Sequence, residues 1–355
     1  MTRNSIYTQA IGAAWLAVLL TCCTADGTQT DGYPLPEGDD VRAPLQVSAA
    51  APGMTVQGTT RAVNDTWRFG DPIGVFAYDA NTGELPIDAI NALYTSSYEG
   101  STDDGTTFIE FTAVNTPIYL SRGATAVFAY YPYTTNANSV TMSNPVVPVN
   151  VSVQTNQEAI DWMSTGPTYN TMQGGSVLIS SANPSVELLF NHRLTKLQFN
   201  LLHGTGMETA DLLENTVRLD IAADNGFYTT GLFNIYDGSV SGMDNQGPIT
   251  PLLITPTPTT ACAFSSSITA PAERAFEAIV LPQAMTTGPE VTITIGNTNN
   301  SQVGTYYFTL PAPAGGAFKA GYRYIYNVLV DATIVTVTNT VTPWVHQNED
   351  HSIVY

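Results

Sequence analysis

Cysteine is nearly absent from this chain. Only Cys22, Cys23 and Cys262 occur in 355 residues. The first two sit in an N-terminal leader, so no internal disulfide framework can form, and stability must come from a packed core. Positive charge is also scarce. Eleven Lys and Arg face 30 Asp and Glu, for a net charge of −19. The only lysines are Lys196 and Lys319. That balance excludes nucleic acid as a natural partner, because phosphate binding needs a basic face. Beyond the leader, no apolar run approaches the roughly 20 residues of a membrane-spanning helix. Catalytic signatures are missing as well: there is no GxSxG elbow, Walker loop, HExxH or CxxC. The four histidines, His192, His203, His346 and His351, show no metal-ligand spacing. The sequence therefore predicts a protein that is not an enzyme and has no metal or other cofactor.

Helical periodicity is scarce, and what replaces it is strand chemistry. Apolar residues recur at period two in Ile73-Val75-Ala77, Ala126-Phe128-Tyr130, Val291-Ile293-Ile295 and Tyr322-Tyr324-Tyr326-Val328-Val330. Turn residues punctuate these runs at Asn81-Thr82-Gly83, Asn136-Ala137-Asn138 and Gly174-Gly175. Short strands at this spacing predict an all-β sandwich architecture. Thr209 to Asn215 is a lone short helical candidate. A division between two domains is expected at Asn183-Pro184. In Val186 to Leu202 the apolar phase slips between Leu194 and Leu197, which predicts a β-bulge near Thr195-Lys196. His192 falls among the inward residues of that run, and a core histidine bonded to backbone is the plainer reading of it.

The N-terminus carries export signals. The apolar run Ile11 to Leu20 follows Arg3 and ends at Leu20-Thr21-Cys22-Cys23. It is too short to span a bilayer and fits a signal peptide over residues 1–22. The cysteine pair resembles a lipobox, with Cys23 as the lipidated residue and Cys22 as the alternative acceptor. Residues 23–43 are polar and acidic, the composition of a flexible tether. Leu45, Val47 and Ala49 then alternate with Gln46, Ser48 and Ala50, predicting a first strand at 44–50. A loop over 51–66 follows.

Six segments together resemble the fimbrillins, the type V pilins of Gram-negative anaerobes. Trp67-Arg68-Phe69-Gly70-Asp71-Pro72-Ile73-Gly74-Val75-Phe76 is similar to the family's opening strand, and Tyr130-Tyr131-Pro132-Tyr133 to its YYPY segment. Phe190-Asn191-His192-Arg193-Leu194-Thr195-Lys196-Leu197 and Ile279-Val280-Leu281-Pro282-Gln283 also match family stretches. So do the closing Gly321-Tyr322-Arg323-Tyr324 with Tyr326-Asn327-Val328, and the late Trp344. The physics of these motifs is structural. Pro282, for instance, cannot donate to a sheet ladder and marks a strand exit.

The resemblance implies two transthyretin-like β-sandwich domains in tandem, over 44–184 and 185–355. It implies export to the cell surface as an outer-membrane lipoprotein precursor. It further implies that an arginine-specific protease cuts between Arg61 and Ala62 and removes the first strand. The vacancy would then be filled by a strand of another pilin subunit, the donor-strand mode of recognition. The donor candidate lies in the tail 333–355, through Ile334, Val335, Val337 and Val341, or through Ile353 and Val354. The implied function is a structural or adhesive fimbrial subunit. Alternatives are a pilus anchor or tip subunit, or a non-polymerising surface lipoprotein that binds a host glycan or protein through tyrosines such as Tyr130 to Tyr133 and Tyr322 to Tyr326.

Overall fold

Two of the alternating runs fold as strands that are buried on both faces. In Pro72–Asp79, Ile73, Val75 and Ala77 enter one core while Phe76 and Tyr78 enter another. Thr125–Tyr131 divides in the same way, with Val127, Ala129 and Tyr131 on one side and Ala126, Phe128 and Tyr130 on the other. A strand covered on both faces loses its polar alternation, so every second position can be aromatic or β-branched. The computed structural model describes residues 42–50, 67–84, 89–97, 108–166, 171–172, 175–176, 179–255, 257, 259–296 and 302–344. All of these lie in the unit running from Asp40.

The first half is dominated by an eight-stranded sheet. Its strands run in the order Ser185–Leu189, Gln46–Ala50, Ile109–Ala113, Ala92–Ser96, Pro72–Asp79, Thr125–Tyr131, Met163–Ser164 and Asn191–His192. The two outermost strands are separated in the chain by Phe190 alone. The sheet must therefore curl until its edges meet, wrapping a core that holds Trp67, Tyr94, Phe111 and Phe190. Twisted sheets commonly close in this way, because closure removes their exposed edges.

The second half is a sandwich of two sheets. One has five strands, in the order Leu252–Leu253, Arg274–Val280, Thr195–His203, Tyr322–Val330 and Val335–Pro343. The other is Thr216–Ile221, Glu290–Gly296 and Gln302–Thr309. Leu197, Phe199, Phe276, Ile293, Tyr326 and Val328 fill the space between them. The short helix forms at Thr209–Leu213, started by a reciprocal capping box between Glu208 and Asp211.

Two sequence expectations change. The phase slip after Leu194 is no bulge. Asn191–His192 pairs with Met163–Ser164 in the first sheet, whereas Thr195–His203 pairs with Arg274–Val280 and Tyr322–Val330 in the second. The chain passes from one sheet to the other at Arg193-Leu194, and the two halves of the run face different cores. For the same reason the structure does not divide at Asn183-Pro184: Ser185–Leu189 and Asn191–His192 still belong to the first sheet. The halves also interlock. Val146–Asn150 pairs with Tyr228–Asn234, which pairs in turn with Val240–Gln246. A third core at this junction joins Phe76, Phe128, Tyr130 and Trp162 to Phe233, Ile279, Leu281 and Trp344.

Candidate functional site

The strand Gln46–Ala50 lies inside the eight-stranded sheet. On one side it runs parallel to Ser185–Leu189, with Val47 opposite Val186 and Ala49 opposite Leu188. On the other it runs antiparallel to Ile109–Ala113, with Val47 opposite Phe111 and Ala49 opposite Ile109. The backbone is tied at both ends. The Gln46 N–H donates to the Pro184 carbonyl at 2.9 Å, and the Ala50 carbonyl accepts from the Phe190 N–H at 3.0 Å. Just before it, Ala43–Pro44 pairs with Tyr119–Leu120, and the Leu45 N–H donates to the Ile118 carbonyl at 2.8 Å.

Leu45, Val47 and Ala49 all point into the first core, beside Trp67, Phe111 and Phe190. Burying side chains the size of Leu45 and Val47 stabilises by about 1.5–3 kcal/mol each. Trp67 anchors this region, meeting Phe111, Tyr131 and Phe190 edge-on at centroid distances of 5.1, 5.5 and 5.1 Å. Withdrawing Gln46–Ala50 would leave two facing strand edges without partners and expose the apolar floor between them. The arrangement is a strand-sized slot, filled here by the chain's own N-terminal segment.

Val335–Pro343 is the opposite kind of element. It pairs along its whole length with Tyr322–Val330 and ends the five-stranded sheet, its outer edge unpaired by any described strand. Val335 and Val337 rest on the second core, while Ile334 and Val341 are 61% and 40% exposed. The strand carries no charge, and its proline comes last, so the usual protections of an edge are missing. Beyond it the chain is secured by Trp344. The Trp344 N–H donates to the Gly321 carbonyl at 2.7 Å, and its buried ring lies flat on His192 with centroids 4.0 Å apart. The Lys196 ammonium stands 5.5 Å from the centre of the Trp344 ring.

His192 is a core residue, but its partner is a carboxylate and not the backbone. Nδ1 lies 2.9 Å from Asp161 Oδ1, and both side chains are buried. Lys196 and Glu277 form a second buried pair at 2.7 Å. Sequence reasoning missed both pairs, because each joins segments far apart in the chain. The tyrosines singled out in the sequence are mostly packing elements. The Tyr130 hydroxyl donates to Asn91 Oδ1 at 2.8 Å and accepts from the Thr134 N–H at 3.0 Å. The Tyr326 hydroxyl donates to the Pro311 carbonyl at 3.2 Å. Burial raises the pKa of Tyr130, Tyr131 and Tyr326 above the ordinary tyrosine value. Among the described residues, no group of three or more His, Cys, Asp or Glu is placed to hold a metal ion. Cys22, Cys23, Arg61, Ala62, Ile353 and Val354 lie outside the described residues.

Comparison with known proteins is consistent in kind. A model of the family described as fimbrillin-like matches residues 60–344. The chain is 27% identical over 342 residues to a protein of Bacteroides uniformis named as a candidate fimbrium subunit, Fim1C, and the match covers 96% of each. Among solved structures, a candidate cell adhesion protein from Bacteroides uniformis superposes with a TM-score of 0.61 at 23% identity, over 87% of this chain and 100% of that one. Another from Bacteroides ovatus gives 0.57 at 18% identity, over 86% and 99%. At these identities the two structures speak for the fold.

Proposed function

The chain belongs to the fimbrillin-like family and is a structural or adhesive fimbrial subunit of the cell surface; from that premise we propose that it matures by losing its own Gln46–Ala50 strand and assembles by accepting a strand from another subunit. The observation that carries this reading is the position of that strand. It is held between two partners in mid-sheet, yet it lies ahead of residue 60, where the family match begins. A strand that fills a slot between two partner edges is the kind of element that a strand of another subunit can replace.

In this reading Cys23, or Cys22 in its place, carries the lipid that holds the precursor at the outer membrane. An arginine-specific protease cuts between Arg61 and Ala62 and frees the segment before it. The open slot then receives a strand of another pilin subunit, which restores the ladders on Ser185–Leu189 and Ile109–Ala113 and covers Trp67 and Phe111 again. Val335–Pro343, with Ile334 ahead of it, is the donor in the described part of the chain; Ile353 and Val354 belong to the alternative donor beyond Trp344. Binding to host glycan or protein would be a separate, adhesive role of the assembled surface. No step in this scheme calls for a catalytic residue or cofactor of the chain's own.

The test is the N-terminus and mass of the protein on the cell surface, with and without Arg61→Ala. The native form should begin at Ala62 and run as a ladder on gels loaded without boiling, and Arg61→Ala should abolish both. A surface form that always begins at the lipidated cysteine would replace this reading with that of an anchor or a non-polymerising lipoprotein.

A further inference from the structure

The slot and the last strand belong to different sheets, yet one continuous run, Ser185 to His192, touches both. Ser185–Leu189 forms the parallel wall of the slot, and the Phe190 N–H donates to Ala50 at the slot's end. The Phe190 ring packs edge-on against Trp67 on the slot floor. Asn191–His192 then crosses to the far edge of the same sheet and pairs with Met163–Ser164. There the His192 ring, fixed by Asp161, is the surface on which Trp344 lies flat. A backbone link runs beside the ring contact. The Gly321 carbonyl accepts from Trp344, and the Gly321 N–H donates to Leu194 at 2.8 Å. Gly321 adopts φ +72°, and a side chain there would meet the His192 carbonyl at 3.2 Å.

Trp344 is also the buried residue that follows a strand exposed from Asn339 to Val341. Without it, the last strand would be held by one ladder, by Val335 and Val337 at its start, and by the Thr338 hydroxyl, which donates to the Ala263 carbonyl at 2.8 Å.

We infer that Trp344 is a latch on the last strand, and that its seat on His192 is held in place by occupancy of the Gln46–Ala50 slot, so that emptying the slot loosens the last strand. The inference rests on the donor-strand reading for its meaning: it makes release of the donor a consequence of maturation. Removing Gln46–Ala50 takes the parallel ladder from Ser185–Leu189 and the acceptor from the Phe190 N–H, and it wets one side of the Phe190 ring. His192 follows two residues later with no loop to absorb a shift. Two flat rings in contact lose much of their attraction when one tilts or slides, because dispersion falls steeply with separation. An unseated Trp344 no longer closes the end of Val335–Pro343.

Hydrogen exchange on the full-length chain tests this, with the buried strand Val291–Ile295 as an internal reference. Trp344→Ala should speed exchange of Val335–Pro343 and, because coupling between sites is reciprocal, of Ser185–Leu189 as well. Each change should fall between about fivefold and about 150-fold relative to the reference. Val47→Asp, which places a carboxylate in the slot core, should speed the same two segments from the other direction. The inference is overturned if Trp344→Ala mobilises Val335–Pro343 and leaves Ser185–Leu189 at its wild-type ratio, or if Val47→Asp mobilises only Ser185–Leu189. If Val47→Asp unfolds the whole chain, the reference strand exchanges with the rest and Trp344→Ala alone decides. Failure of the donor-strand reading would appear in the surface ladder, which these ratios do not measure.

Discussion

At the scale of single residues, aromatic side chains hold the first half of the molecule together. Trp67 is 2% exposed and touches three other rings, so Trp67→Ala should cost about 3–5 kcal/mol in chemical denaturation of the purified precursor. The buried tyrosines set the alkaline limit. Burial lifts Tyr130, Tyr131 and Tyr326 above the ordinary value of 10.0, so the folded chain holds those protons more tightly than the unfolded chain does. The resulting stabilisation is complete below pH 10 and drains away as the pH rises further. An absorbance titration should therefore show these three ionising only as the fold is lost; ionisation of all tyrosines near pH 10 with the fold intact would contradict their burial. Alternation along the strands made the inward positions of Ile73, Phe128 and Ile293 legible in the sequence. The Asp161–His192 and Lys196–Glu277 pairs were not, because a contact between distant segments depends on topology, and local spacing carries no trace of it.

Among the elements, Gln46–Ala50 and Val335–Pro343 form a contrasting pair. The first is interior and short, with Ala49 as its smallest inward residue; the second is long, terminal and unprotected at its outer edge. Leu45→Ala should destabilise the precursor by about 2–5 kcal/mol and have no counterpart in the chain that begins at Ala62, which lacks the residue. Equal stability of the mutant and native precursors would mean that this segment is not part of the folded unit. Val341→Lys places a charge at an exposed position of the last strand. It should leave monomer stability within about 0.5 kcal/mol while reducing the surface ladder. A normal ladder from Val341→Lys, lost instead on deletion of residues 345–355, would move the donor role to Ile353 and Val354. Element types were readable from periodicity, but the passage between sheets at Arg193-Leu194 was not. A change of sheet and a bulge within one sheet produce the same slip of phase in the sequence.

At the scale of the whole molecule, the two halves share a core instead of meeting at a linker. Val146–Asn150 completes a sheet with strands from the second half, and Trp344 packs into the junction beside residues of both halves. Calorimetry should accordingly show one cooperative unfolding transition, with calorimetric and van't Hoff enthalpies in agreement; two separated transitions would show that the junction core does not couple the halves. This sharing also places the slot and the last strand within reach of a common run of chain, which a pair of independent domains would not do. The most direct measurement is hydrogen exchange of Ser185–Leu189 and Ile109–Ala113 in fimbriae taken from the cell surface, on subunits whose N-terminus is Ala62. Protection equal to that of the intact precursor is the expected result, since a neighbour's strand would have replaced Gln46–Ala50. Fast exchange at both walls in assembled fimbriae would mean that the slot stands open and that the subunits are joined in some other way.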